Sequence, residues 1–318
     1  MKTKTPSPKQ FNLIMISAMY ENGGNTLHRF FDGHPQLHVY PFESQLGTPL
    51  VSDFLTSVFP PKYRWPEFSL SGSIDSDYEL IIDEELKRHV KTPLASKFRN
   101  ADLKLIDSDR KQIFPDLLKD KTRSRRNVVE AFFSSTFNAW KNYQSSGKES
   151  HFVGYSPIVG VDAEKIFSDF PSSHIVHIVR NPLAAYSDTK KRPVPYTLSK
   201  YVQIWNIVQL MSLNFSAKFP ENFHIVRYEN LVKSPKYFFR KLVKKIHIDY
   251  HPALENPSWN SRKLETLVPW GTIATPSSKS NQSTILELNN HERAEIKTQS
   301  AFINKVLGYE RFKTIPTL

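Results

Sequence analysis

The sequence predicts a three-layer α/β fold, a central parallel sheet with helices on both faces, and three observations predict it. Short, nearly continuous apolar runs recur at residues 11–19, 175–179 and 223–226, and a run apolar on both faces is a strand buried inside a parallel sheet. Segments with helical spacing of apolar residues follow these runs, the order expected of strand–helix units. The 318 residues, 39% of them apolar, suffice for one large core. One domain over 1–318 is therefore expected, with insertions at about 45–126 and a C-terminal lid and helix at about 255–318.

Each element follows from its local pattern. The first strand runs into Tyr20-Glu21-Asn22-Gly23-Gly24-Asn25-Thr26, where the two glycines free the backbone for a tight loop. From Thr26 the chain reads as a helix with Leu27, Phe30 and Phe31 on one face. A second short strand within His34–Tyr40 delivers Glu43 to the loop beyond it. Residues 45–126 are less regular, with Pro60-Pro61 and one helix expected over Tyr78–His89. The basic run at 119–127 reads as a solvated segment or, alternatively, as a contact for an anion. An amphipathic helix is expected over Val128–Tyr143, carrying Val129, Phe132, Phe133, Phe137 and Trp140.

The second half repeats the logic. A strand from His151 leads to a helix over about Asp162–Phe170, and the strand Ile175–Val179 ends in Arg180-Asn181-Pro182, with the proline suited to a first helical turn. A long helix, capped near Thr197 or Ser199, carries Tyr201, Ile204, Trp205, Val208 and Leu213 and breaks at Pro220. A last strand from Phe223 precedes a helix from Ser234, a polar, proline-rich stretch over 255–283, and a final helix over roughly 290–307. Right-handed crossovers align the loops after the strands along one edge of the sheet.

Charge and composition narrow the chemistry. Forty-three Lys and Arg against 31 Asp and Glu give a formal +12, which suits a phosphate-rich small ligand or a polyanion. With no cysteine there is no disulfide, thiolate nucleophile or cysteine-held metal, so oxygen and nitrogen groups carry the chemistry. The N-terminal residues are polar and basic, and the apolar run behind them is shorter than the roughly 18 residues of a membrane span. A cytoplasmic protein without a membrane partner is expected.

A glycine-rich turn between strand and helix aims backbone N–H groups and the positive helix end at one point, which suits a phosphate. The loop is not G-x-x-x-x-G-K-[ST]; it has neither the lysine nor the following Ser or Thr that serve a nucleoside triphosphate and Mg²⁺. A small-molecule kinase is therefore the alternative enzyme rather than the first reading. A catalytically inactive nucleotide-binding module is the alternative from another class, and nucleic-acid binding rests on net charge alone.

Three segments in order, ISAMYENGGNTLHRFFDGHPQL, HIVHIVRNPLAAYSDTKKR and FHIVRYENLVKSPKYFFRKLV, resemble the sulfotransferases that use 3'-phosphoadenosine 5'-phosphosulfate (PAPS). The resemblance implies a P-loop-type fold, transfer of a sulfuryl group from PAPS to a hydroxyl or amine of a small apolar or natural-product acceptor, and no metal. It also implies that Asn22, Gly23, Gly24, Asn25 and Thr26 cradle the 5'-phosphosulfate, and that Arg180, with Ser187, binds the 3'-phosphate. Tyr228 would lie near the adenosine and Lys279 near the 3'-phosphate.

The departures are as specific. The loop lacks the lysine or arginine that many members carry at its start, and Asp188 stands where the family usually has a serine, so it is expected to point away or to pair with Lys190, Lys191 or Arg192. The histidine base of the aryl-type members would fall near Pro157, and it is absent. Glu43 stands where other members place a glutamate base, with His34, His38 and His151 as weaker candidates. Aromatic residues in 54–68 and 196–205 are expected to line an acceptor pocket.

Overall fold

The computed structural model describes residues 11–265 and 279–309. The sheet strands are β1 (Asn12–Ala18), β2 (Leu37–Val39), β3 (His151–Tyr155), β4 (His174–Val179) and β5 (Phe223–Arg227). All pair in parallel, in the order β2-β3-β1-β4-β5. In chain order the helices are α1 (Gly24–Phe31), α2 (Ile74–Leu80), α3 (Glu84–Lys91), α4 (Asp107–Asp116), α5 (Arg125–Ala139), α6 (Ala163–Asp169), α7 (Pro182–Thr189), α8 (Leu198–Lys218), α9 (Tyr228–Lys233), α10 (Pro235–Lys245), α11 (Lys279–Leu286), α12 (Asn290–Gln299) and α13 (Ala301–Val306).

Alternation along β1 builds the layers. Leu13 and Met15 face a core shared with Val129, Phe132 and Phe133 of α5 and Phe215 of α8. Ile14, Ile16 and Ala18 face the opposite core, with Leu27, Phe30 and Phe31 of α1 and Phe238, Phe239 and Leu242 of α10. Both faces of the central strand are thus dry, which is why its sequence is mostly apolar rather than alternating. Strand direction reverses its progress across the sheet at β1, between β3 and β4, and such a switch point opens a crevice beyond the C-terminal strand ends.

Two expected helices are broken. The helix predicted over 78–89 is α2 and α3, separated by Asp83 in the left-handed region at φ 36°. The break is held by burial: both carboxylate oxygens of Asp83 accept from Tyr40 Oη at 3.0 Å, and Arg110 Nη1 donates to Oδ2 at 2.9 Å. The C-terminal helix divides at Ser300, whose Oγ donates back to Ile296 O at 2.6 Å, a bond that competes with continuing the helix. The basic run is held by acids of the protein itself: Arg123 pairs with Asp77, Arg125 with Asp169 and Glu67, and Lys121 with Glu130. No helix among the described residues is long and apolar enough to cross a membrane.

Candidate active site

The crevice holds a cavity of about 300 Å³, walled on one side by the loop between β1 and α1 and on the other by Glu43, Tyr63, Glu85, Lys97 and Phe98. The loop turns through two left-handed residues, Glu21 at φ 58° and Gly23 at φ 90°. A methyl group on Gly23 would stand 2.3 Å from the Tyr228 ring, and one on Gly24 would stand 2.4 Å from Tyr155. Both positions therefore admit no side chain, and Gly23 needs glycine for its backbone as well. Gly23 caps α1 without a side-chain bond. The amides of Gly24, Asn25 and Thr26 form the first helical turn, which no intrahelical carbonyl satisfies; all three residues line the cavity.

Asn22 has a different place. Its N–H donates to Met19 O at 3.1 Å and its Nδ2 to Tyr20 O at 2.8 Å. Its Oδ1 accepts from Arg180 N at 3.0 Å and Trp205 Nε1 at 3.2 Å. Asn22 is the clamp that ties the loop to the end of β4 and to α8, rather than a residue turned to a ligand. Tyr201 and Trp205 sit behind the loop with it, so of the two aromatic segments Tyr63 reaches the cavity and these residues do not.

Arg180 follows β4 and enters the same cavity, its guanidinium 5.0 Å over the ring of Tyr228. Nε donates to Asn281 Oδ1 at 2.7 Å, and Nη1 donates to Glu21 O at 3.1 Å and Asp188 Oδ2 at 2.7 Å. Asp188 pairs with Lys191 at 3.3 Å, one of the partners expected for it, and rather than pointing away it also pairs with Arg180 itself. The reason is geometric: about two turns of α7, counted from its N-cap Asn181, return residue 188 to the side of the helix where Arg180 enters it. Ser187 is fully buried and donates to Glu287 Oε2 at 3.2 Å, outside the cavity wall. Asn281 also donates to Glu229 Oε1 at 2.9 Å, so α11 closes over this end of the site. Lys279 opens α11, but its side chain lies outside the described residues.

At the other end Glu43 meets Glu85. Glu43 N donates to Glu85 Oε2 at 3.4 Å, Gln45 Nε2 donates to Glu43 Oε2 at 3.0 Å, and Lys97 Nζ pairs with Glu85 Oε1. Burial, and next the charge of Glu43, push the Glu85 carboxyl up to about 7 against the opposing pull of Lys97. Burial likewise raises the hydroxyls of Tyr20, Tyr63 and Tyr155, which therefore stay protonated at neutral pH. Pro157, where a histidine base would have stood, does line the cavity. His34, His38 and His151 lie elsewhere, bonded to Asp249 O, Tyr143 Oη and Ser150 Oγ. Among the described residues no three His, Asp or Glu are placed to hold a metal ion.

The model of the sulfotransferase family matches residues 15–252, a span that takes in the loop, Glu43, Glu85, Arg180 and Tyr228. The chain belongs to the sulfotransferase family. Two solved structures resemble this sulfotransferase-family chain over nearly its whole length. The sulfotransferase domain from the curacin biosynthetic pathway superposes with a TM-score of 0.53 at 16% identity, covering 92% of this chain and 99% of that one. The sulfotransferase domain from the Synechococcus PCC 7002 olefin synthase gives 0.55 at 15% identity, covering 99% of each. No curated protein matches the chain by sequence. At these identities the structures establish the α/β fold of the family, with its five-stranded parallel sheet and surrounding helices.

Of the residues singled out from sequence, Gly23, Gly24, Asn25, Thr26, Glu43, Arg180 and Tyr228 come together on one cavity. Glu85, Lys97 and Arg192 line it too and were not singled out. Arg192 lies 5.2 Å over the ring of Tyr20 and 3.8 Å from Glu21, so a cation does reach the loop, from the segment after α7. Glu85 and Lys97 come from the insertion, and their spacing in the chain carries no pattern that marks them.

Proposed function

We propose that this sulfotransferase-family protein moves the sulfuryl group of PAPS to a hydroxyl or amine of a small-molecule acceptor. The observation that carries the reading is the joining of three groups in one cavity: glycine-loop amides at a helix start, a guanidinium stacked on an aromatic ring, and a carboxylate pair. The loop is a cradle that any Cβ would fill, which fits a phosphate-sized anion approaching bare backbone. When bound, PAPS supplies the activated sulfuryl group and departs as adenosine 3',5'-bisphosphate.

The chain's own residues then have these tasks. The amides from Gly23 to Thr26 and the Thr26 hydroxyl hold the 5'-phosphosulfate and meet charge that grows on the departing phosphate. Arg180 exchanges Asp188 for the 3'-phosphate, a bidentate partner that suits a planar fork better, and Tyr228 lies beside the nucleoside. Ser187 would join only by giving up Glu287, and Lys279 remains a proposal from the resemblance. Tyr63, Phe98 and Tyr155 give the acceptor end its aromatic wall, and the Glu43–Glu85 pair supplies a carboxylate to receive the acceptor's proton.

Calorimetric titration with adenosine 3',5'-bisphosphate tests the reading, with AMP and ATP plus Mg²⁺ as controls. Binding that requires the 3'-phosphate and weakens roughly 10- to 100-fold in Arg180→Ala is expected from losing a charged hydrogen-bonding partner. Preference for ATP would overturn it.

A further inference from the structure

The carboxylate pair holds more than the expected glutamate. Glu85 and Glu43 both line the cavity beside the rings of Tyr63, Phe98 and Tyr155; the Glu85 carboxylate accepts from Glu43 N at 3.4 Å and pairs with Lys97, whose side chain is 54% exposed. Burial and the charge of Glu43 raise the Glu85 carboxyl against the pull of Lys97. The two carboxylates differ in burial and partners. The Glu85 side chain is 12% exposed, whereas Glu43 is half-buried and has its Oε2 held by the Gln45 amide.

Resting on the sulfuryl-transfer reading, we infer that Glu85 is the group that takes the acceptor's proton, with Glu43 as the positioning residue that tunes it. The acceptor's O–H or N–H bond breaks and an O–H bond forms on a Glu85 carboxylate oxygen. The freed electron pair forms the bond to sulfur, and the sulfur–oxygen bond to the donor's phosphate breaks, its pair leaving with the bisphosphate. A carboxylate whose proton affinity lies near working pH is the most effective base for this transfer, and burial beside Glu43 gives Glu85 that property. The groups that face it are Glu43 from the segment after β2, Lys97 after α3, Tyr63 from the insertion, Tyr155 from β3, and Arg192 beyond Lys97. The neighbouring Glu84 is occupied by Lys62 and Arg88.

The test compares the full chain with Glu85→Gln and Glu43→Gln by three measurements: calorimetric binding of adenosine 3',5'-bisphosphate, carboxyl ¹³C NMR titration of glutamate-labelled protein, and transfer rates from PAPS to phenol between pH 5 and 9. A carboxyl resonance that titrates near neutral pH, vanishes in E85Q and moves to lower pH in E43Q is expected. Bisphosphate binding should persist in E85Q while transfer falls about 100-fold or more, and in E43Q the pH limb should move down with part of the transfer retained. Absence of the near-neutral resonance overturns the inference whatever the rates, as does E85Q that keeps its transfer and pH limb while E43Q loses both. Failure of the wild-type protein to bind the bisphosphate would instead overturn the sulfuryl-transfer reading and leave the titration to judge the carboxylate pair by itself.

Discussion

Asp83 and Glu85 stand two residues apart at the start of α3, and their surroundings are opposite. Asp83 and Arg110 are both fully buried, with two hydrogen bonds from Tyr40 and the guanidinium 4.0 Å from the Phe132 ring closing the group off. Glu85 faces the cavity, opposed by a second carboxylate and balanced by one half-exposed lysine. A charge that holds the fold together is matched by a partner that cannot leave, whereas a charge poised for chemistry is left incompletely matched. The same segment thus breaks a helix with one acid and arms a cavity with the next.

The largest effect should come from opening the closed pair. Arg110→Ala leaves Asp83 buried without its cation and is expected to cost roughly 3–5 kcal/mol in urea unfolding, while Lys97→Ala, which removes a half-exposed lysine, should cost about 1 kcal/mol or less. Equal losses would erase the distinction between the two acids.

The pH dependence of stability sharpens the contrast next. His177, buried between Ser17 Oγ at 3.2 Å and Gln209 Oε1 at 3.0 Å, is pushed down to about 4 by burial. The unfolded chain binds this proton first, so stability is complete above pH 6.5 and falls as pH drops toward 4, by on the order of 2–3 kcal/mol for this residue. His34, His174 and His224, each also pushed down to about 4 by burial, add to the same acid loss. Glu85 runs the other way: raised to about 7, its contribution is fully present below pH 4.5 and is lost as pH rises through 7. Unfolding curves from pH 4 to 8 should show His177→Asn flattening the acid limb and Glu85→Gln flattening the slope near neutral pH.

At the loop, Gly23→Ala forces a left-handed alanine against the Tyr228 ring and should cost roughly 1–3 kcal/mol, with bisphosphate binding lost in calorimetry. The smallest effect concerns the open pair at the other end of the cavity. Asp188→Asn removes the carboxylate that competes for Arg180, and bisphosphate binding should tighten by a few-fold, since a partly exposed ion pair is worth about 1 kcal/mol or less. Weaker binding would mean that Asp188 orients the guanidinium rather than occupying it.

The parallel sheet was legible because β1 and β4 are buried along nearly their whole length, and strands so placed are mostly apolar on both faces. Gly23-Gly24 was legible because two glycines between an apolar run and a helical pattern have few other uses. Asn22 was legible as a loop residue but its clamp was not, since a sequence does not show that β4 and α8 come near enough to claim its amide. The helix break at Asp83 was hidden for the same reason: Asp83 is fixed by Tyr40 and Arg110, far from it in the chain.

Local pattern by itself determined the strand and loop order, the glycine turn, and Arg180 at the end of a buried strand, because backbone conformation and burial periodicity act over a few residues. Tertiary structure decided which charges meet. It set Glu85 against Glu43 across 42 residues of chain, returned Asp188 to Arg180 and brought Arg192 to the loop, because electrostatic environment depends on distance in space and on water excluded by the whole fold.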